Sequence, residues 1–471
     1  MSLEPGVPKQ PSRYVARRGS GLAVVNGPPG PRFPKRLMAA PWLLVFLPVQ
    51  AATTAFGVVL PLLILVALHA GVTEVALAST LYNSALIPAA LLWGVVCDRL
   101  QMRAPLLLIN FAGFAVLFFV LAQGAGLAEL LVVYTAYGLV APSSAAASNL
   151  LILERFTPED RPVAFASFQE LSTLGGVVGL VLGFFWLLVL PGTRGLFDFL
   201  YLAAFLSAAG ALGTALFIRD PPRRFARREI LRHPESFAAR LSSFIPFFPR
   251  RLERPFLPRL RRWLREEATH EIPLVLAAVF LFNVASNLFN TSYIPYLRVA
   301  GLTSAGIFLV NLSNSGAQAV VYPFSGTACE RDGGERAVVA STGVRAIGYA
   351  ATAGIAFVPA GLLLVGGALS ANLLIFGLLG GAVALYGTSS SLLLFRSVRR
   401  QGAGGLLGFS SALGGMAAVL GAALSGVLSA HFGFGVTFTL SLLVMVASVP
   451  VWHAARNAWR SHHAKSEQKG S

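Results

Sequence analysis

About twelve separate runs of roughly twenty apolar residues, each nearly free of charge, constrain this chain more than any other feature. A helix of that length crosses a hydrocarbon layer of about 30 Å. In lipid a backbone must satisfy its own hydrogen bonds, and none of these runs alternates as a barrel strand does. The expected fold class is an all-α membrane protein with twelve transmembrane helices. Composition agrees, because 55% of the 471 residues are apolar and 12% are charged, against roughly 25% charged in a soluble domain.

The net charge of +17 would suggest nucleic acid for a soluble protein. Its distribution points elsewhere. Of the 37 Lys and Arg, only Arg194, Arg298 and Arg345 fall outside segments that lie on one face of the membrane in a twelve-span arrangement. By the positive-inside rule that face is cytoplasmic, so both termini are expected in the cytoplasm and no nucleic-acid partner is expected. The protein is placed in the plasma or inner membrane of the cell. Residues 1–36, rich in Pro, Gly and Arg, read as a disordered basic tail and not as a signal peptide. The two cysteines imply neither a disulfide framework nor a metal site.

Taken in order, the spans fall near 37–68, 75–93, 105–125, 127–153, 163–190 and 196–217 in a first bundle at 37–218. They continue near 272–296, 303–325, 337–358, 370–393, 406–428 and 433–452 in a second bundle at 272–455, followed by a cytoplasmic tail at 456–471. Between them, residues 219–271 hold fourteen Arg, with Phe237, Leu241, Phe244 and Phe248, then Leu260, Trp263 and Leu264, at helical spacing. That pattern fits an amphipathic helix on an anionic leaflet, and equally a solvated basic linker.

The halves echo one another. Gly94, Cys97, Asp98 and Arg99 match Gly326, Cys329, Glu330 and Arg331 in spacing, Tyr137-Gly138 matches Tyr386-Gly387, and Leu174-Gly175-Gly176 matches Leu413-Gly414-Gly415. Such self-similarity marks an internal repeat. The stretches 94–103 and 326–336 read as tight turns between helices at the membrane surface.

Twelve spans in two sets of six, a basic central loop and a repeated Gly-x-x-x-Asp-Arg element together resemble the major facilitator superfamily over about residues 37–455. Gly94, Asp98, Arg99 and Arg103 match the family's turn, while Gln101 and Met102 depart from it. The resemblance implies two pseudo-symmetric six-helix bundles that rock about a central site. It also implies a gate in which Asp98 caps the region Gly405 to Phe409 and Glu330 caps Pro162 to Ser167, with Arg99, Arg103, Arg331 and Arg336 pairing with nearby acids. A carboxylate at a helix N-terminus gains up to about 1 to 2 kcal/mol when partly buried. Drug-proton antiporters of the family carry a Gly-Pro element in span 5 and an Arg within span 4. This chain has no Pro between Gly175 and Gly183, and no Arg between Leu127 and Leu153.

Polar residues inside a span are costly unless they face partners or water, so they mark the expected cavity. Asn283, Asn287 and Asn290 share one helical face, as do Asn311, Asn314 and Gln318. Gln50, Thr54, Tyr82, Asn83 and Tyr137 lie at similar depth in the first half, with Tyr386 answering Tyr137. This amide and aromatic lining suits a substrate with hydroxyl or carbonyl groups, although single amides can also tie helices together. Gly175, Gly179 and Gly183, with Gly414, Gly421 and Gly426, are expected to let backbones approach closely.

No carboxylate falls at the midplane, which disfavours a buried proton carrier. Arg345 alone lies deep in a span; it is expected to snorkel or to pair with a loop acid, or otherwise to contact an anion or lipid. The reading is a non-enzymatic transporter of a small organic solute by alternating access, exporting or exchanging a neutral or amphipathic compound. Alternatives are sugar or organic-anion uptake, and a lipid scramblase or assembly factor on the same fold. No cofactor or metal is expected. The expected partners are the small-molecule substrate and membrane lipids, and a monomer is expected.

Overall fold

The computed structural model describes residues 41–100, 103–124, 126–155, 161–218, 271–332, 334–358, 365–397 and 403–468, and no strand occurs among them. A short 3-10 segment at Pro41–Val45 leads into α1 (Phe46–Leu62), which closes in a wider π turn at Leu63–Ala67. The first half continues with α2 (Val72–Leu100), α3 (Ala104–Ala122), α4 (Leu127–Val140), α5 (Pro142–Arg155), α6 (Arg161–Val189) and α7 (Thr193–Phe217). Ala141 keeps helical dihedrals, so α4 and α5 run on as one rod. The second half holds α8 (Glu271–Val299), α9 (Ser304–Asp332), α10 (Gly334–Phe357), α11 (Val365–Ser397) and α12 (Ala403–Gln468). The expected linker helix and N-terminal tail lie outside the described residues.

Eight stretches among the described residues are long and apolar enough to cross a membrane. The other long helices, α2, α9 and α10, carry more polar side chains. One of the eight, Ser410–Ala458, is 49 residues long, far more than the roughly 20 that one crossing needs. It is two arms. Gly433 breaks it with φ 83 and ψ 168, a backbone geometry that glycine adopts without a Cβ clash. Beyond residue 455 the second arm remains helical to Gln468.

Contact registers give the directions of the helices. Along α8, Asn283 neighbours Gly414 and Ser292 neighbours Ser425, so α8 and the first arm of α12 are parallel. Along the second arm the order reverses: Tyr296 meets Phe434, and Phe289 meets Phe438. The chain therefore enters at Trp42 and leaves near Gln468 on one face, called proximal below, and turns at Gly433 on the opposite, distal face.

The two turns differ from the sequence expectation. Residues 94–100 are the last turns of α2, and 326–332 the last turns of α9, so the connection is confined to a few residues after each. No helix breaker interrupts Gly94 to Leu100 or Gly326 to Asp332, and the backbone hydrogen-bond ladder runs on until the chain must reverse.

Packing depends on glycine. A β-carbon on Gly179 would overlap the Ala51 carbonyl, and one on Gly175 would stand 2.7 Å from the Leu47 oxygen, so α1 and α6 touch backbone to backbone. In the second half Gly421 does the same, with its β-carbon position 2.7 Å from the Val284 oxygen. Gly414 keeps ordinary spacing, 3.9 Å from Asn283. Hydroxyls and amides then tie the helices. Ser292 meets Ser425 and Ser429, Ser429 meets Thr437 at 2.8 Å, Tyr293 donates to Asn372 at 3.0 Å, and Asn110 donates to the Val140 carbonyl at 2.8 Å. Each such interhelical bond in a bilayer is worth about 0.6 to 2 kcal/mol.

Gly179→Ala is expected to lower stability by about 1 to 3 kcal/mol through overpacking. Gly57→Ala, where nothing lies within 4 Å of the new carbon, should be neutral or stabilising. Thermal unfolding of both variants in one detergent checks the contrast; equal melting would remove the backbone contact as its cause.

Candidate substrate site and gate

The amides of α8 follow one rule of geometry. A side-chain amide one turn above a free lone pair bonds its own helix, and Asn283 Nδ2 donates to the Val279 carbonyl at 2.8 Å while Asn287 Nδ2 donates to the Asn283 carbonyl at 2.9 Å. Both residues are half-buried. They face the first arm of α12, where Gly421 abuts the Asn287 Cβ and Gly414 approaches Asn283. Pinning the NH₂ groups leaves the Oδ1 atoms as available acceptors, and neither is a buried orphan. Asn290 is exposed.

On α9 the stripe divides. Asn311 Nδ2 donates to its own helix at the Ile307 carbonyl, 2.9 Å away. Asn314 Nδ2 instead crosses to the Phe376 carbonyl of α11 at 2.9 Å, and its Oδ1 accepts from Gln318 Nε2 at 2.6 Å. Asn314 is therefore a tie between helices. Gln318 keeps its Oε1 for another donor.

The first-half residues form a different kind of surface. Tyr137 is buried and stacks on Phe114 at 4.4 Å, beside Phe56 and Phe118, and Tyr82 stacks on Tyr134 at 4.9 Å and reaches Tyr137 at 5.7 Å. Asn83 donates to the Ser79 carbonyl at 2.8 Å, Gln50 lies beside Thr53 and Gly175, and Thr54 packs on Gly176. Tyr386 is buried flat on Phe282 with 3.3 Å between centroids. The structure thus joins Tyr82 to Tyr137, Asn283 to Asn287, and Asn314 to Gln318. No hydrogen bond or ring contact among the described residues links the first-half set to the second. Tyr134 belongs with Tyr137 and was missed by sequence reasoning, although its i−3 spacing on α4 could have marked it.

Arg345 does not snorkel. It is 4% exposed, with its guanidinium over the rings of Phe282 and Tyr349.

The halves meet along α2 with α12 and along α6 with α9. Near the distal ends this contact is tight: a β-carbon on Gly183 would overlap the Phe308 ring, and one on Gly426 would overlap Ala76. Phe199 of α7 adds an edge contact to Phe308 at 6.0 Å. Deeper along the seam Gly415 sits against Ile87.

At the proximal face Arg103 folds back on α2. It is 4% exposed, and its Nη1 donates to the Cys97 carbonyl at 2.5 Å, satisfying one of the acceptors that a helix C-terminus leaves open. Gly94 lies in the last turns of α2, and the side chains of Asp98, Arg99, Glu330 and Arg331 lie outside the described residues. The helix starts that the acids were expected to cap are there, at Ala403 of α12 and Arg161 of α6. Gly326 has open space around it, and Arg336 is exposed.

Long apolar helices packed by small residues, with polar side chains turned to the seams, define a membrane-embedded helical protein. The chain belongs to the Major Facilitator Superfamily, whose profile matches residues 42–370, so it is a member of a transporter family and not an enzyme. Among solved structures it is similar to a mutant of the nucleoside transporter NupG at 13% identity, with 88% of this chain and 99% of that chain covered and a TM-score of 0.66. It is also similar to NupG itself at 14% identity, with 89% and 98% covered and a TM-score of 0.58. No curated protein matches it in sequence.

Asn314→Leu is expected to cost about 1 to 2 kcal/mol, because it removes the tie to the Phe376 carbonyl of α11 and takes the acceptor from the Gln318 amide. Asn287→Leu should change stability by less than that, since its amide bonds only its own helix. Paired unfolding curves in one detergent decide it, and a reversed order would show that Asn287 is the structural residue.

Proposed function

We propose that the protein is a secondary transporter that moves a small organic solute by alternating access across the plasma or inner membrane. In this reading the chain crosses twelve times, with six helices per half and both termini in the cytoplasm, so the distal face is external. The single observation that carries it is the asymmetry of the seam. Gly183 against Phe308 and Gly426 against Ala76 close the halves at the distal end, while Asn283 and Asn287 stand half-buried at mid-depth with acceptors available. Rocking the halves apart needs the loss of contacts such as these, which are van der Waals contacts and not hydrogen bonds.

The substrate class we favour is neutral and polar, with donors for the Asn283 and Asn287 oxygens and an aromatic or apolar portion to lie near the tyrosines of the first half. Nucleosides have that chemistry, and the similar structures are titled nucleoside transporters. Export or exchange remains the proposed direction. Asp98 and Glu330 are proposed to close the cytoplasmic side in the alternate state.

The test is thermal stabilisation of the purified protein by a panel of nucleosides, sugars, amino acids, organic anions and lipids, since any ligand of the folded state raises its apparent stability. A polar neutral compound should raise the melting temperature, and Asn287→Leu should abolish that rise. A response to lipids alone, kept by Asn287→Leu, would replace this reading with a lipid-handling one.

Gly426→Leu should hold the distal end apart. A cysteine placed on the distal part of α2, in a background with Cys97 and Cys329 replaced, should then label faster by several-fold; an unchanged labelling rate would show that this contact is not a gate.

A further inference from the structure

We propose that the second half holds a binding site for one compact monovalent anion, built by α8, α10, α11 and the second arm of α12. The inference does not rest on the transport reading. It starts from Arg345, which falls near the middle of α10 and is 4% exposed. Its guanidinium lies 4.9 Å from the Phe282 centroid and 5.4 Å from that of Tyr349, and Nη2 donates to the Tyr349 hydroxyl at 2.5 Å. Among the described residues no carboxylate pairs with it, and its Nε–H has no acceptor.

Other donors lie along the same aromatic stack. Tyr386 stacks on Phe282, and the buried Tyr386 hydroxyl has no hydrogen-bond partner. Trp452 stands edge-on to Tyr386 at 6.2 Å, is 2% exposed, and its Nε1–H also lacks an acceptor. Ser286, one turn along α8 from Phe282, is a fourth buried group without a partner. Three separate helices and α8 thus bring unmatched O–H and N–H groups to the aromatic stack that begins at Phe282.

Such groups normally find partners, because each unmade bond in a dry interior is costly. Arginine cannot relieve the cost by losing its proton. A water molecule could accept the bonds but would leave the charge unbalanced, whereas an anion answers both needs at once. Glu335 is not that anion: it lies ten residues from Arg345 on α10, about 15 Å along the axis, and pairs with Arg456 at 3.6 Å. The walls are aromatic faces already in stacking contact, and every donor residue is less than a tenth exposed. A halide or a short carboxylate suits that setting better than a phosphorylated solute.

The experiment uses the purified full-length protein. Its melting temperature is followed as chloride, bromide or acetate replaces bulky gluconate at constant ionic strength. A saturable rise with at least one of the three is expected. Arg345→Gln should abolish the rise. Tyr386→Phe, which preserves the ring stack and removes one donor, should weaken the apparent anion affinity roughly ten-fold, and it keeps the test decisive if Arg345→Gln does not fold. Wild-type protein indifferent to all three anions would overturn the site. So would an undiminished anion response in either variant, because the charge or the converging donors would then not be what binds.

Discussion

Inside a bilayer the tails around a helix are as apolar as its own leucines, so helices gain nothing by merely hiding from solvent. What holds this bundle is close backbone contact. Gly179 on Ala51, Gly421 on Val284 and Gly380 on Asn314 bring helix axes near enough for extended van der Waals contact. Everything else depends on that proximity. The hydroxyl chain through Ser292, Ser425, Ser429 and Thr437 can form only because α8 and both arms of α12 have already come together.

The same device serves two purposes. Within a half, glycine meets carbonyl oxygen and the contact is supported by interhelical hydrogen bonds. Between halves, Gly183 meets the Phe308 ring and Gly426 meets an alanine methyl, and neither contact is a polar one. A firmly tied half and a seam of bare van der Waals surface together describe rigid bodies with a yielding joint.

Much of this was legible in the sequence. The helical class follows from run length alone, and the glycine spacing on α6 and on the first arm of α12 pointed to close approach. Three features were less accessible. The Gly94 and Gly326 elements looked like turns because charge entered there, yet helix geometry tolerates charge at a membrane surface and continues to Leu100 and Asp332. Asn311 and Asn314 look alike in a periodic pattern, but whether an amide bonds its own helix or a neighbour depends on which backbone carbonyl tertiary packing presents. For Arg345, a basic residue within a span would ordinarily extend outward to the surface. Phe282 and Tyr349 hold it inside by offering ring faces, and only the fold places Phe282 within reach.

Gly433 has a consequence for how the protein enters the membrane. The two arms of α12 are joined by a single non-helical residue, with no polar loop between them. A link this short disposes the two arms to enter together as a helical hairpin, with the serines of the first arm facing α8. A hairpin of this kind acts as a clasp on α8, and its packing there completes the second half.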